Sequence, residues 1–175
     1  MGVDRARQWL ASYNDESFIK LNDHERQVQQ FLQDQARNAN PADPVAACLT
    51  YGDLCHAIDP DEHIWKRPRY KGIGQALGHV SLYEVHHHRP LLSALVIRAG
   101  FGDPGDGFIN DLCRGTLSLT IPEGQERTFW QSKVDEVVRF WTSHDPIAIT
   151  DMMFDALMEE IAELRQGLSR TDHPG

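Results

Sequence analysis

Residues 50–108 read TYGDLCHAIDPDEHIWKRPRYKGIGQALGHVSLYEVHHHRPLLSALVIRAGFGDPGDGF, and their charge runs against the rest of the chain. Between Lys66 and Arg98 stand six basic residues (Lys66, Arg67, Arg69, Lys71, Arg89, Arg98) and one acid, Glu84, a local charge of +5. The whole chain holds 17 basic and 26 acidic residues, so outside that window 11 basic residues face 25 acids and the sum is −14. One compact basic face on an acidic body is how a protein presents a single polyanion-binding surface.

The same window predicts an order of elements. Thr50 caps a short helix through about Ile58, with Asp53 placed as the acid of a capping box. Asp59-Pro60-Asp61 ends it. Residues 62–69 read as an extended arm carrying Trp65 and the basic cluster. A helix over 71–87 follows, with Ile73, Leu77 and Val80 toward the core and Leu82 or Glu84 flanking them. Gly74 and Gly78, four apart on one face, predict close approach of another backbone. Pro90 stops that helix, and 91–98 is apolar enough for a buried strand. Gly100, Gly102, Pro104, Gly105 and Gly107 mark a tight loop, after which Phe108 and Ile109 are expected to return as the partner strand of a hairpin.

Working outward, 3–12 reads as a short helix. Asn22 or Asp23 caps a longer one to about Arg37, with a thin stripe of Val28, Phe31 and Leu32. Its glutamines (Gln27, Gln29, Gln30, Gln33, Gln35) read as solvated or partner-facing. Two prolines and two asparagines over 38–44 break the chain. Helices over 129–141 (Trp130, Val134, Val137, Val138, Trp141) and 149–168 (Met152, Met153, Leu157, Ile161, Leu164) form a core or a dimer seam. The expected architecture is one domain, 1–175, of mostly helical α+β class. It comprises a helical extension (1–40), a winged helix-turn-helix-like core with a small β-hairpin (48–110), C-terminal helices (126–168) and a disordered tail (169–175).

Composition bounds the rest. A hydrophobic fraction of 41% and a charged fraction of 25% exclude global disorder. No apolar run nears the ~20 residues of a membrane span, and the N-terminus lacks a secretory core, so a cytoplasmic location is expected. Ala6 stands where a myristoylation signal needs Ser or Thr. Cys48, Cys55 and Cys113 form no C-x-x-C pair, which argues for buried thiols and against a thiolate zinc site.

The segments Thr50-Tyr-Gly-Asp-Leu-Cys, Lys71-Gly-Ile-Gly-Gln-Ala-Leu and Leu95-Val-Ile-Arg98 resemble the DNA-binding half of alkylguanine-DNA alkyltransferases and alkyltransferase-like proteins. The resemblance covers about a third of the chain and implies a winged-helix DNA-binding scaffold. It places Tyr51 where the family presses on the phosphate of a flipped nucleotide, and Lys71 where it has an arginine finger. Ser93 and Ala94 stand in place of the family's Cys-His, so alkyl transfer is not expected. The phrases His88-Arg-Pro-Leu-Leu-Ser-Ala-Leu-Val-Ile97 and Pro104-Gly-Asp-Gly-Phe108 are similar to those of a family of uncharacterised small bacterial and phage proteins, which carries no activity.

Other motifs read as structural. Three consecutive histidines, His86, His87 and His88, point about 100° apart on a helix and cannot converge on one ion. Asp103 and Asp106 suit turns. Ser93 lacks a G-x-S-x-G context, Glu159, Glu160 and Glu163 make a solvated face, and there is no P-loop or dinucleotide fingerprint. The expectation is a non-catalytic nucleic-acid-binding protein, regulatory or defence-associated, without cofactor or metal. Lys66, Arg67 and Arg69 are the expected phosphate contacts from the arm, with Tyr70 available for stacking and Arg89 and Arg98 adding to the basic face. On the shared helical face of Lys71, Gln75 and His79, Gln75 suits an adenine edge and Lys71 a guanine or a phosphate. Tyr51 keeps the phosphate role that the resemblance implies. Duplex DNA is the expected partner. The alternative is an adaptor whose basic face meets an acidic protein while the C-terminal helices form a homodimer, and a small enzyme ranks third.

Overall fold

A computed structural model of the chain describes residues 20–61, 63–65 and 72–143. The expected helices over 3–12 and 149–168, the tail, and Lys66, Arg67, Arg69, Tyr70 and Lys71 lie outside the described residues. The elements run α1 (Asp23–Arg37), a 3-10 turn (Pro44–Ala47), β1 (Leu49–Thr50), α2 (Tyr51–Ile58), α3 (Ile73–His86), a second 3-10 turn (Leu92–Leu95), β2 (Val96–Ile97), a π-helix (Gly107–Thr116) and α4 (Glu126–Ser143). The described residues are mostly helical with one small two-stranded sheet, the α+β class that the sequence predicts.

Two capping boxes start α1 and α2. Asn22 accepts from the Glu25 amide and Glu25 accepts from the Asn22 amide, each at 3.0 Å. Thr50 and Asp53 make the same exchange at 3.1 Å. Each box meets two amides that the first helical turn leaves without partners. From its cap α1 packs on α3 and α4 through the buried Val28, Leu32 and Ala36, with Phe31 only half-buried. Burial of a Val or Leu side chain contributes about 1.5–3 kcal/mol. The α4 stripe of Trp130, Val134, Val137, Val138 and Trp141 is wholly buried, as its spacing predicts.

Two of the five glutamines of α1 depart from expectation, while Gln27 and Gln30 are exposed as expected. Gln29 and Gln33 are buried and donate from Nε2 to Glu84 Oε1 at 2.5 and 3.4 Å, while Gln35 donates to the Ala47 carbonyl. Glu84 itself is fully buried on α3. Its charge is met by Arg89, which donates Nε to Oε2 at 2.7 Å and Nη2 to Oε1 at 3.1 Å. The end of α3 creates that pair. His88 takes the left-handed conformation at φ 57°, its amide donates to Val85, and the Arg89 amide donates to the Glu84 carbonyl. This Schellman reversal, with histidine in the usual glycine place, folds Arg89 back over the last turn. Pro90 then keeps the helix from continuing.

The sheet also differs from the expected hairpin. β1 and β2 pair in parallel, Leu49 opposite Val96 and Thr50 opposite Ile97, so the ladder joins the two ends of a long crossover. Phe108 and Ile109 do not return as a strand. They begin the π-helix, with Leu112 and Cys113 buried on the same side, because apolar pairs four residues apart follow a helical period and no alternation.

Among the described residues, Gly74 and Gly78 do not receive another backbone. A Cβ built at either position meets no described atom within 4 Å. Gly78 lies inside α3, so Gly78→Ala should raise stability by roughly 0.5–1 kcal/mol through the entropy of the unfolded chain. Urea denaturation measures this, and a loss of stability would mean that a close neighbour exists.

Candidate nucleic-acid interface

The described residues on either side of the basic segment 66–71 are anchored in the fold. Asp59, at the C-terminal end of α2, accepts from three successive backbone amides, His63 at 3.0 Å, Ile64 at 2.7 Å and Trp65 at 2.8 Å. Those bonds hold its carboxyl below the ordinary aspartate value of 3.8, the Trp65 amide contributing most. They fix the chain direction just before Lys66. Trp65 is buried, and a Cβ at Gly72 would stand 3.4 Å from its Cζ3. Gly72 is the N-cap of α3 with φ 94°, a conformation that a side chain there would strain. The positions flanking 66–71 are therefore held together.

A depressed aspartate stabilises the fold at pH values above its unfolded value, and that contribution disappears as pH falls through the folded value. Asp59→Asn should therefore lower Tm at neutral pH. The gap between wild type and variant should then narrow as pH drops from about 5 to about 2. A gap that stays constant with pH would contradict the anchoring role.

The other expected contacts divide. Gln75 is exposed on the first turns of α3. His79 is half-buried, its Nδ1 2.6 Å from Glu25 Oε1, so it sits between α3 and α1. From Val80 to Glu84 every residue of α3 is buried, so its exposed positions lie in its first turns, where Gln75 stands, and at its C-terminal end, Val85 and His86. Arg89 is not a surface cation: its side chain is 5% exposed and engaged with Glu84, and its guanidinium lies 5.6 Å from the Tyr83 ring centroid. Arg98 donates Nε and Nη2 to Asp103 Oδ1 at 3.0 and 2.8 Å and stands 3.5 Å from Asp106 Oδ1, so two acids offset its charge.

Tyr51 is turned inward as well. It opens α2 directly after the β1–β2 ladder, which brings its hydroxyl under the glycine-rich loop, where the Gly105 amide donates to it. A Cβ at Gly105 would stand 3.0 Å from that oxygen. Burial pushes the phenol above its ordinary value, only partly offset by Gly105 and Arg98. The hydroxyl that the family resemblance assigns to a phosphate thus supports the loop.

No activated nucleophile stands among these residues. Burial pushes Cys48 up to about 11, Cys55 to about 12 and Cys113 to about 11. All three are thiols at neutral pH. Ser93 is buried and accepts from the Ser81 hydroxyl at 2.6 Å, and the Ala94 carbonyl accepts from Trp130 Nε1 at 2.8 Å. Among the described residues no group of three His, Cys, Asp or Glu is arranged to hold a metal ion, and no helix is long and apolar enough to cross a membrane.

One exposed side chain went unremarked in the sequence. Phe101, 69% exposed, stands between Gly100 (φ 78°) and Gly102 (φ 65°) at the tip of the loop after β2. An aromatic flanked by glycines within a turn was the available signal. No known protein family, curated protein or solved structure matches this chain.

Proposed function

We propose that this protein is a non-catalytic nucleic-acid-binding protein whose phosphate contacts come from Lys66, Arg67, Arg69 and Lys71. The observation that carries the proposal is the joined pair Trp65 and Gly72, which brackets six residues with four cations and no acid. Outside that segment 13 basic residues face 26 acids, a sum of −13, so polyanion attraction concentrates on it. Arg89 and Arg98, neutralised within the fold, contribute little to this attraction. Tyr70 adds an aromatic ring to the cationic run, the combination that grips a strand by charge and stacking.

In this reading the winged helix-turn-helix likeness persists in the order of parts. α2, the arm and the start of α3 supply the reading half, and the loop 98–106 occupies the place of a wing without being a hairpin. Gln75, exposed in the first turns of α3, is the candidate for a base-edge contact, adenine suiting its amide. Fluorescence anisotropy with labelled duplex and single-stranded oligonucleotides at low salt tests the proposal. Binding that scrambled sequences share and heparin competes away is expected, and no binding to either form overturns it.

A further inference from the structure

We propose that Phe101, backed by Arg98, is a stacking platform for an unpaired nucleobase, so that the preferred nucleic acid carries single-stranded or extrahelical bases; this rests on the nucleic-acid reading above. Phe101 is 69% exposed, whereas the other exposed large hydrophobics among the described residues, Val45, Ile64 and Val85, reach 40% at most. Isolated exposure is ordinary on a surface. What distinguishes Phe101 is the loop that holds it out. The Arg98 amide donates to the Asp103 carbonyl at 2.8 Å, closing the loop at its base. The amides of Phe101 and Gly102 donate back to the Arg98 carbonyl at 3.3 and 3.4 Å. Asp103 clamps the Arg98 guanidinium, and Tyr51 supports Gly105 from below.

The ring is thus presented in a fixed place, and its ordering cost is met by the fold before any ligand arrives. Arg98 lies 4.9 Å from the ring centroid. That cation covers one face and leaves the ring as a π surface for a planar partner. Asp103 and Asp106 offset the Arg98 charge, so this tip is unsuited to phosphate and suited to the uncharged face of a base. Bases stacked in an intact duplex do not expose that face, whereas unpaired bases do.

The test compares Phe101→Ala, Phe101→Leu and Phe101→Trp on a single-stranded oligonucleotide, a gapped duplex and an intact duplex, by anisotropy and by 2-aminopurine fluorescence at the unpaired position. The expected result is a loss of roughly five- to a hundredfold on unpaired substrates for Ala and Leu, retention by Trp, and an unchanged dependence on salt. Intact duplex should be bound equally by all four proteins. Because the side chain is so exposed, Tm should stay at the wild-type value. Equal binding of Phe101→Ala to unpaired substrates overturns the inference, and if replacing Lys66, Arg67, Arg69 and Lys71 together by glutamate still lowers affinity, the nucleic-acid reading survives alone. Leucine serving as well as tryptophan, or Phe101→Ala abolishing self-association instead of base stacking, assigns the tip to a protein contact and also overturns it. Failure of the wild-type protein to bind any nucleic acid removes both proposals.

Discussion

Replacing Lys66, Arg67, Arg69 and Lys71 together by glutamate is expected to abolish nucleic-acid binding while leaving the fold intact. Each cation that neutralises a phosphate releases counterions, and each such contact contributes about 0.9 to the salt slope on duplex DNA and about 0.7 on a single strand. Four contacts give a slope near −3.6 or −2.8 on this scale. Loss of all four at 50 mM salt should therefore weaken binding by about a hundredfold or more. The reversal also moves the chain's formal charge of −9 eight units further negative, which adds long-range repulsion. Trp65, Gly72 and Asp59, which hold the flanks, are untouched, so Tm should change little. Binding that survives the fourfold reversal would place the interface elsewhere.

The second large effect concerns stability. Arg89→Ala leaves the Glu84 carboxylate buried with Gln29 and Gln33 as its remaining identified side-chain donors. Stranding one partner of such a pair costs about 3–5 kcal/mol. For a domain of this size that corresponds to a fall in Tm of roughly 6–20 °C. Glu84→Met alone should be comparably damaging, because it strands a guanidinium. The double variant Glu84→Met with Arg89→Met should recover much of the loss, and a double-mutant cycle measures the coupling. A change below about 1 kcal/mol in either single variant would mean that the pair is not buried as described. Salt slopes for DNA should be the same in the folded double variant as in wild type, since Arg89 faces the core.

Local rules were easily read from the sequence and long-range pairings were not. Asn22 and Thr50 could be read as caps because their partners lie three residues away. The α4 stripe was legible because five large apolar residues repeat at one period. Gln29 and Gln33 looked solvated because nothing nearby explains them: Glu84 is more than fifty residues distant. The charge of Arg89 looked available for the same reason, since its place depends on His88 adopting a left-handed conformation that histidine seldom takes. Phe108 and Ile109 looked like a strand when taken without Leu112 and Cys113. Glycines alone cannot distinguish a tight helix contact from open space, and no described residue packs against Gly74 or Gly78. For the candidate interface, the arm was plain in its composition. Its anchors, Asp59 and the contact of Trp65 with Gly72, required the fold.

The most direct measurement is the affinity of the wild-type chain for a labelled oligonucleotide across about 50–300 mM salt. A straight line of log K against log salt with a slope of about −2.8 on a single strand or about −3.6 on a duplex agrees with four phosphate contacts from one short segment. A slope near zero, or no binding at the lowest salt, contradicts it.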